Sequence, residues 1–176
     1  KNMAIIGPQR SAGASSMADL IAENKIVSLI AGTSPTLVGA ADGWMFRMRT
    51  SDTDMGTVAA KYIAEVMGVK KLGILYNNDD YGNGARGVIV EYLENNTDVE
   101  VTVQEGHNTG DKDMTAGLLA VKEAGCDAVI VWTHSPEGAV IVRQYKELGL
   151  ADAGVKLLGG PIWGMGGFYE LVEDNF

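Results

Sequence analysis

Ala128-Val129-Ile130-Val131-Trp132 is an unbroken apolar run, and Ser135-Pro136 follows it after only two residues. A strand with one solvated face alternates apolar and polar positions. An unbroken run instead suits a strand covered on both faces, as in a parallel sheet between helices. Ser135 reads as an N-cap with Pro136 at the first helical position, which predicts a helix over about 136–148. Outward from this unit, strand and helix patterns alternate along the chain. Strands are expected at 3–6, 26–30, 44–48, 71–76, 100–104 and 156–158, and helices at 14–24, 83–95 and 112–124. After residue 52, Met55, Val58, Ala59, Tyr62, Ile63, Val66 and Met67 keep helical spacing. Asp52, Thr53 or Asp54 can cap that helix, and Gly68 stops it. The fold class is therefore α/β, with doubly wound, mostly parallel sheets.

The composition, 46% hydrophobic and 21% charged, is that of a globular chain rather than a disordered one. A net charge of -9 argues against a nucleic-acid partner, whose phosphates would be repelled, and reads as a solvated surface. Cys126 is the one cysteine, so no intrachain disulfide can form, and it reads as a small buried hydrophobe. No apolar run approaches the length of a membrane span. The best boundary is Arg49-Thr50-Ser51-Asp52, a polar turn dividing the chain into 1–50 and 51–176. The first part supplies too few strands for a full core, and both ends look cut.

Two loops at strand ends suggest what the chain does. Ile5-Ile6-Gly7-Pro8-Gln9-Arg10-Ser11 and Val27-Ser28-Leu29-Ile30-Ala31-Gly32-Thr33-Ser34-Pro35 both run from apolar residues into small and hydroxyl ones. In a parallel sheet such loops line the crevice at the carboxyl ends of the strands. The helix start after Ser11 offers free N–H groups and a positive dipole end, which suit a carboxylate. Ser11 reads equally well as a helix N-cap, and Thr33 as turn chemistry. Arg10 can add a second anion contact or be a plain surface charge. Tyr81, His134 and Trp163 fall just beyond strands of the second part, as polar-tipped aromatics suited to a binding wall.

Catalytic and cofactor signals are weaker. Gly82-Asn83-Gly84-Ala85-Arg86-Gly87 spells G-x-G-x-x-G, with Glu105 near the place of a ribose-binding acid. Asn77-Asn78-Asp79-Asp80-Tyr81 separates it from its strand, however, and two aspartates would repel a pyrophosphate. It reads as a flexible turn and helix start, and a dinucleotide-dependent enzyme stays only a lesser alternative. Ser11, His134 and Asp80 form a triad on paper without the G-x-S-x-G elbow. His107, in a polar loop, and His134 are the two histidines, and no metal-ligand spacing is present. No cofactor, metal or catalytic residue is expected.

In order along the chain, several segments resemble the branched-chain amino acid (Leu/Ile/Val-type) solute-binding proteins of ABC transporters, the type I periplasmic binding proteins. They are Ile6-Gly7-Pro8 with Ser11, Ala31-Gly32-Thr33-Ser34-Pro35 and Met45-Phe46-Arg47-Met48-Arg49-Thr50-Ser51-Asp52, then Ala59-Ala60-Lys61-Tyr62-Ile63 and Asp80-Tyr81-Gly82-Asn83-Gly84. Thr109-Gly110-Asp111-Lys112-Asp113, Ser135-Pro136-Glu137 and Leu158-Gly159-Gly160-Pro161 complete the set, which covers essentially the whole chain. The resemblance implies a two-lobed, hinge-closing fold in a chain about twice as long. Residues 1–50 would be an incomplete lobe one, 51–176 most of lobe two, and 49–52 a hinge crossing. An apolar sheet edge left open in lobe one would favour pairing with a second copy.

By that resemblance, Ser11, Ala31 and Thr33 hold a ligand carboxylate and part of an amino group, and Tyr81 and His134 close from lobe two. The implied activity is capture, without catalysis, of an amino acid or related organic acid. The ligand would go to a membrane permease from a periplasmic or cell-surface location, with the signal peptide removed and a lipid anchor compatible. A ligand-sensing domain of a receptor or regulator is the alternative with the same fold. Two departures stand out. His134 replaces a tyrosine, and Gly159-Gly160-Pro161-Ile162-Trp163 lacks the acid that usually pairs with the ligand ammonium. Glu137 or Asp80 would have to substitute. Otherwise the ligand carries no amino group, and it would be aromatic if it lies beside Trp163 and Trp132.

Overall fold

The computed structural model describes residues 4–37 and 39–172; Met3, at the start of the first expected strand, and both chain ends lie outside them. Two parallel sheets form. The first has the order β1-β2-β3, from β1 (Ala4–Ile6), β2 (Val27–Ile30) and β3 (Met45–Arg47). The second has the order β5-β4-β6-β7, from β4 (Lys71–Asn77), β5 (Glu100–His107), β6 (Ala128–Trp132) and β7 (Lys156–Gly159). The helices are α1 (Ser11–Asn24), α2 (Asp52–Lys61), α3 (Asp80–Asn96), α4 (Thr115–Glu123), α5 (Ser135–Glu147) and α6 (Gly166–Val172). A π-helical turn, Tyr62–Val66, extends α2, and a 3-10 turn, Pro161–Gly164, precedes α6.

The second sheet is covered on both faces, and its sequence explains why. Alternate residues of β6 enter opposite cores: Ala128, Ile130 and Trp132 pack with Leu72, Ile74, Ile89 and Leu93 on one side. Val129 and Val131 pack with Leu118, Val121, Ile141 and Phe168 on the other. Every residue of β6 is buried, as the unbroken apolar run requires. The first sheet is more open. Ala14, Ala18 and Ile21 of α1 are buried, while Ile6 is 83% and Phe46 51% exposed.

Element boundaries shift where side chains find partners that the local pattern does not show. α1 begins at Ser11, three residues before its expected start. Ser51 caps α2 by accepting from the Thr53 N–H, so Asp52 is the first helical residue and not the cap. His134 occupies the N-cap position of α5, and Ser135 is its first residue. β5 runs on to His107 because β4 continues beside it, pairing Asn77 with His107, so His107 is a buried strand end rather than part of a polar loop. Cys126 is buried, with its sulfur 3.1 Å from Thr102 Oγ1. No described helix is long and apolar enough to cross a membrane.

Candidate functional site

The carboxyl ends of β1, β2, β4 and β6 converge on one cavity of about 200 Å³. The loops after β1 and β2 bring Arg10, Ser11, Ala31 and Thr33 to it, and the segment before α2 brings Arg49. Tyr81 and His134 line it from the second sheet, with Pro161 and Ile162 from the turn before α6.

Ser11 does not cap its helix, because Arg10 holds the N-cap position. Its Oγ accepts instead from the backbone N–H groups of Thr33 and Ser34, each at 3.1 Å. Both lone pairs are thereby engaged, and the hydroxyl proton remains to be donated. Ala14 makes the first intrahelical bond of α1, to the Arg10 carbonyl at 3.0 Å, so the N–H groups of Ser11, Ala12 and Gly13 precede the helical ladder. Ser11 therefore sets a donor-rich, electropositive end to the cavity.

Thr33 ties this end to the chain crossing. Its Oγ1 donates to Asp52 Oδ2 at 2.8 Å, and its carbonyl accepts from the Asp52 N–H at 2.9 Å. Asp52 is fully buried, and the Trp132 indole N–H approaches the same carboxylate. Burial pushes the Asp52 carboxyl up to about 6, against the Thr33 hydrogen bond and the charges of Arg47 and Arg49. In the unfolded chain this group titrates near 3.8. Its contribution to stability is thus fully present below that value and is lost as pH rises through about 6. Asp52→Asn, which stays neutral, is expected to flatten this part of the stability profile between about pH 4 and pH 6. Urea midpoints of parent and variant across that window measure it, and parallel profiles would contradict the assignment.

His134 and Tyr81 form the opposite wall as a stacked pair, with centroids 5.3 Å apart and an interplanar angle of 23°. Asp79 orients both. Its Oδ1 accepts from the N–H groups of Tyr81 and Gly82 at 3.0 Å, capping α3, and its Oδ2 lies 2.9 Å from His134 Nε2. A carboxylate can only accept, so His134 carries a proton on Nε2 and its tautomer follows from the geometry. Burial works to raise the Asp79 pKa, but the bonds from His134, Gly82 and Tyr81 outweigh it and hold the carboxyl below its ordinary range. Burial, with the Asp52 charge behind it, raises the Tyr81 phenol.

Six of the seven sequence candidates, Arg10, Ser11, Ala31, Thr33, Tyr81 and His134, line this single cavity. Trp163 does not. Its indole stacks on Phe168 at 4.8 Å and lies directly over Gly159, where an added Cβ would fall 2.1 Å from the ring. Trp132 is 1% exposed, 6.3 Å from the Tyr81 ring, and does not line the cavity either. Neither candidate ammonium partner reaches the cavity: Asp80 is not in its wall, and Glu137 Oε1 accepts from the Gly110 N–H at 2.7 Å. The paper triad also dissolves, since His134 is held by Asp79 and not by Asp80. The G-x-G-x-x-G segment lies inside α3, and Asp79 already occupies the first-turn N–H groups that a pyrophosphate would need.

Sequence reasoning missed Arg49, Met55, Pro161 and Ile162 as cavity residues, and Asp79 and Asp52 as the groups behind them. The Asp79-Asp80-Tyr81-Gly82 segment did carry a readable signal, an N-cap acid at a helix start.

The periplasmic binding protein family model matches residues 1–166. An amino acid binding protein of Pseudomonas aeruginosa is 30% identical over 151 residues, covering 85% of this chain and 40% of that protein. The leucine-, isoleucine-, valine-, threonine- and alanine-binding protein of the same organism is 33% identical over 118 residues, covering 67% of this chain and 31% of its own length. The chain thus spans less than half of these relatives. Among solved structures, an R. palustris ABC transporter solute-binding protein in complex with 4-hydroxybenzoate superposes with a TM-score of 0.81 at 21% identity, covering 89% of this chain and 42% of that one.

Proposed function

The chain belongs to the periplasmic binding protein family, and on that premise we propose that it captures a small carboxylate-bearing solute between two lobes for delivery to an ABC permease. Residues 1–50 contribute to lobe one and 51–176 to lobe two, with the crossing at 49–52. The protein works outside the cytoplasm and binds its ligand without transforming it.

The observation that carries this reading is the arrangement at Ser11. Its hydroxyl accepts two backbone N–H bonds and keeps its own proton for an incoming oxygen, beside the opening turn of α1. A carboxylate matches such a donor set in charge and geometry. Ala31 and Thr33 complete that end, and Arg10 adds a cation to it. Tyr81 and His134 provide the face that lobe two lays over the ligand. Closure stabilises the liganded state because only the closed form contacts the solute from both sides. The relatives named for amino acids and the structure holding 4-hydroxybenzoate support a carboxylate as the common chemical feature.

Thermal denaturation of the full-length protein with amino acids, aliphatic carboxylates and aromatic carboxylates tests the proposal. A ligand of the native state at a hundred times its Kd adds about 2.7 kcal/mol of stability. At least one carboxylate is expected to raise the midpoint by several degrees. Stabilisation by neutral solutes alone, sugars or polyols, would overturn the reading.

A further inference from the structure

Charged groups around the cavity divide unevenly between those in its wall and those outside it. Asp79 has both oxygens engaged, by the N–H groups of Tyr81 and Gly82 and by His134. Asp52 lies behind Thr33 and is not part of the wall. Glu137 Oε1 is turned to Gly110; its Oε2, like Asp52 Oδ1, is buried without a hydrogen-bond partner among the described residues, but neither residue is in the wall. Among the described residues no acidic side chain lines the cavity.

The cations are the reverse. Arg47 is structural: its Nε donates to the Gly32 carbonyl at 3.2 Å and its Nη2 to the Ser34 carbonyl at 2.7 Å. Arg10 and Arg49 both line the cavity, and among the described residues neither guanidinium has a hydrogen-bonded or ion-paired partner. They belong to different parts of the wall. Arg10 precedes Ser11 at the start of α1, while Arg49 lies before α2, close enough to Asp52 and Tyr81 to act on both electrostatically.

Among the described residues, an ammonium group entering this cavity would meet two guanidiniums in its wall and no carboxylate. A second anionic group would meet a five-donor fork with no other acceptor. We propose that Arg49 is a specificity-determining residue that reads a second anionic group, so that the preferred solute is a small dicarboxylate without an amino group. One carboxylate sits at Ser11 and Arg10, and the other faces Arg49. This inference rests on the carboxylate-capture reading above and narrows it.

Titration calorimetry of the full-length protein with succinate, glutarate and adipate, each against the monocarboxylate of equal length, and with leucine, tests it. The best diacid is expected to bind about tenfold or more tightly than its monoacid, the margin of a charge-assisted bidentate contact. Arg49→Gln should remove most of that margin, and Arg49→Lys should restore part of it by keeping the charge without the fork. Leucine binding more tightly than every diacid, equal affinities for diacids and monoacids, or a margin unchanged in Arg49→Gln would overturn this inference and leave carboxylate capture standing. Absence of binding by all of these acids would overturn this inference, and carboxylate capture falls with it only if the aromatic carboxylates of the thermal screen also fail to stabilise the protein.

Discussion

Ser11→Ala is expected to cut affinity for the carboxylate ligand by about 100-fold and to destabilise the protein as well. The two losses have separate causes. Ser11 is 3% exposed, and its Oγ is the acceptor for the Thr33 and Ser34 N–H groups. Alanine leaves both donors buried without a partner, and each such group costs about 1–3 kcal/mol. A hydrogen bond from the hydroxyl to a charged carboxylate contributes roughly 1.5–3 kcal/mol to binding, and the loosened loop removes more by displacing Thr33. Calorimetry at fixed pH reads the affinity, and urea unfolding reads the stability. A variant that lost stability but bound its ligand as the parent does would show that the carboxylate sits elsewhere.

Gly82→Ala is expected to be the most damaging single-methyl change in the second sheet unit. A Cβ at Gly82 would lie 2.0 Å from the Asn77 carbonyl oxygen and 2.7 Å from the Asn77 nitrogen. Both are backbone atoms at the end of β4, so no rotamer change relieves the overlap, and the first turn of α3 must move. The cost is expected to exceed the ~1–3 kcal/mol common for overpacked cores. That shift also carries Tyr81 and the Asp79 cap away from His134, so binding weakens with stability. Gly87→Ala, in the same helix, is the control. Beyond its chain neighbours and its own helix backbone no atom lies within 4 Å of its added Cβ, and alanine there is expected to stabilise by up to about 1 kcal/mol. Opposite shifts in the urea midpoints of the two variants check the argument, and a near-parental Gly82→Ala would refute it.

This glycine also explains the G-x-G-x-x-G segment. Gly82 is required because helix and strand touch there, and the Asp79 carboxylate fills the place that a phosphate would need. The letters match a dinucleotide fingerprint, whereas the packing makes Gly82 a spacer between two backbones.

The α/β class was legible because apolar periodicity is a local property. Ala128–Trp132 needs two covers whatever surrounds it, and Ser135-Pro136 starts a helix within one residue of the expected place. The loops carrying Ser11 and Thr33 were legible for the same reason, being short polar punctuation at the ends of apolar strands. Bonds between distant segments were not. His134 meets Asp79 because β4 and β6 are neighbours in the order β5-β4-β6-β7, so the loops after them emerge side by side. No local pattern encodes that adjacency. The same holds for Ser11, which became the acceptor for two N–H groups more than twenty residues away instead of capping its own helix.

Side-chain direction was likewise decided by volume in three dimensions. Trp163 follows β7 just as His134 follows β6, and the sequence placed both on the crevice edge. Gly159 and Phe168 leave a slot that the indole fills, and burying that ring is worth more than leaving it at a polar rim. Sequence alone therefore determined which strands and loops exist, because hydrophobic spacing and turn chemistry act over a few residues. Tertiary structure decided which side chains share the cavity, because hydrogen-bond satisfaction and close packing act between whichever segments the sheet order brings together.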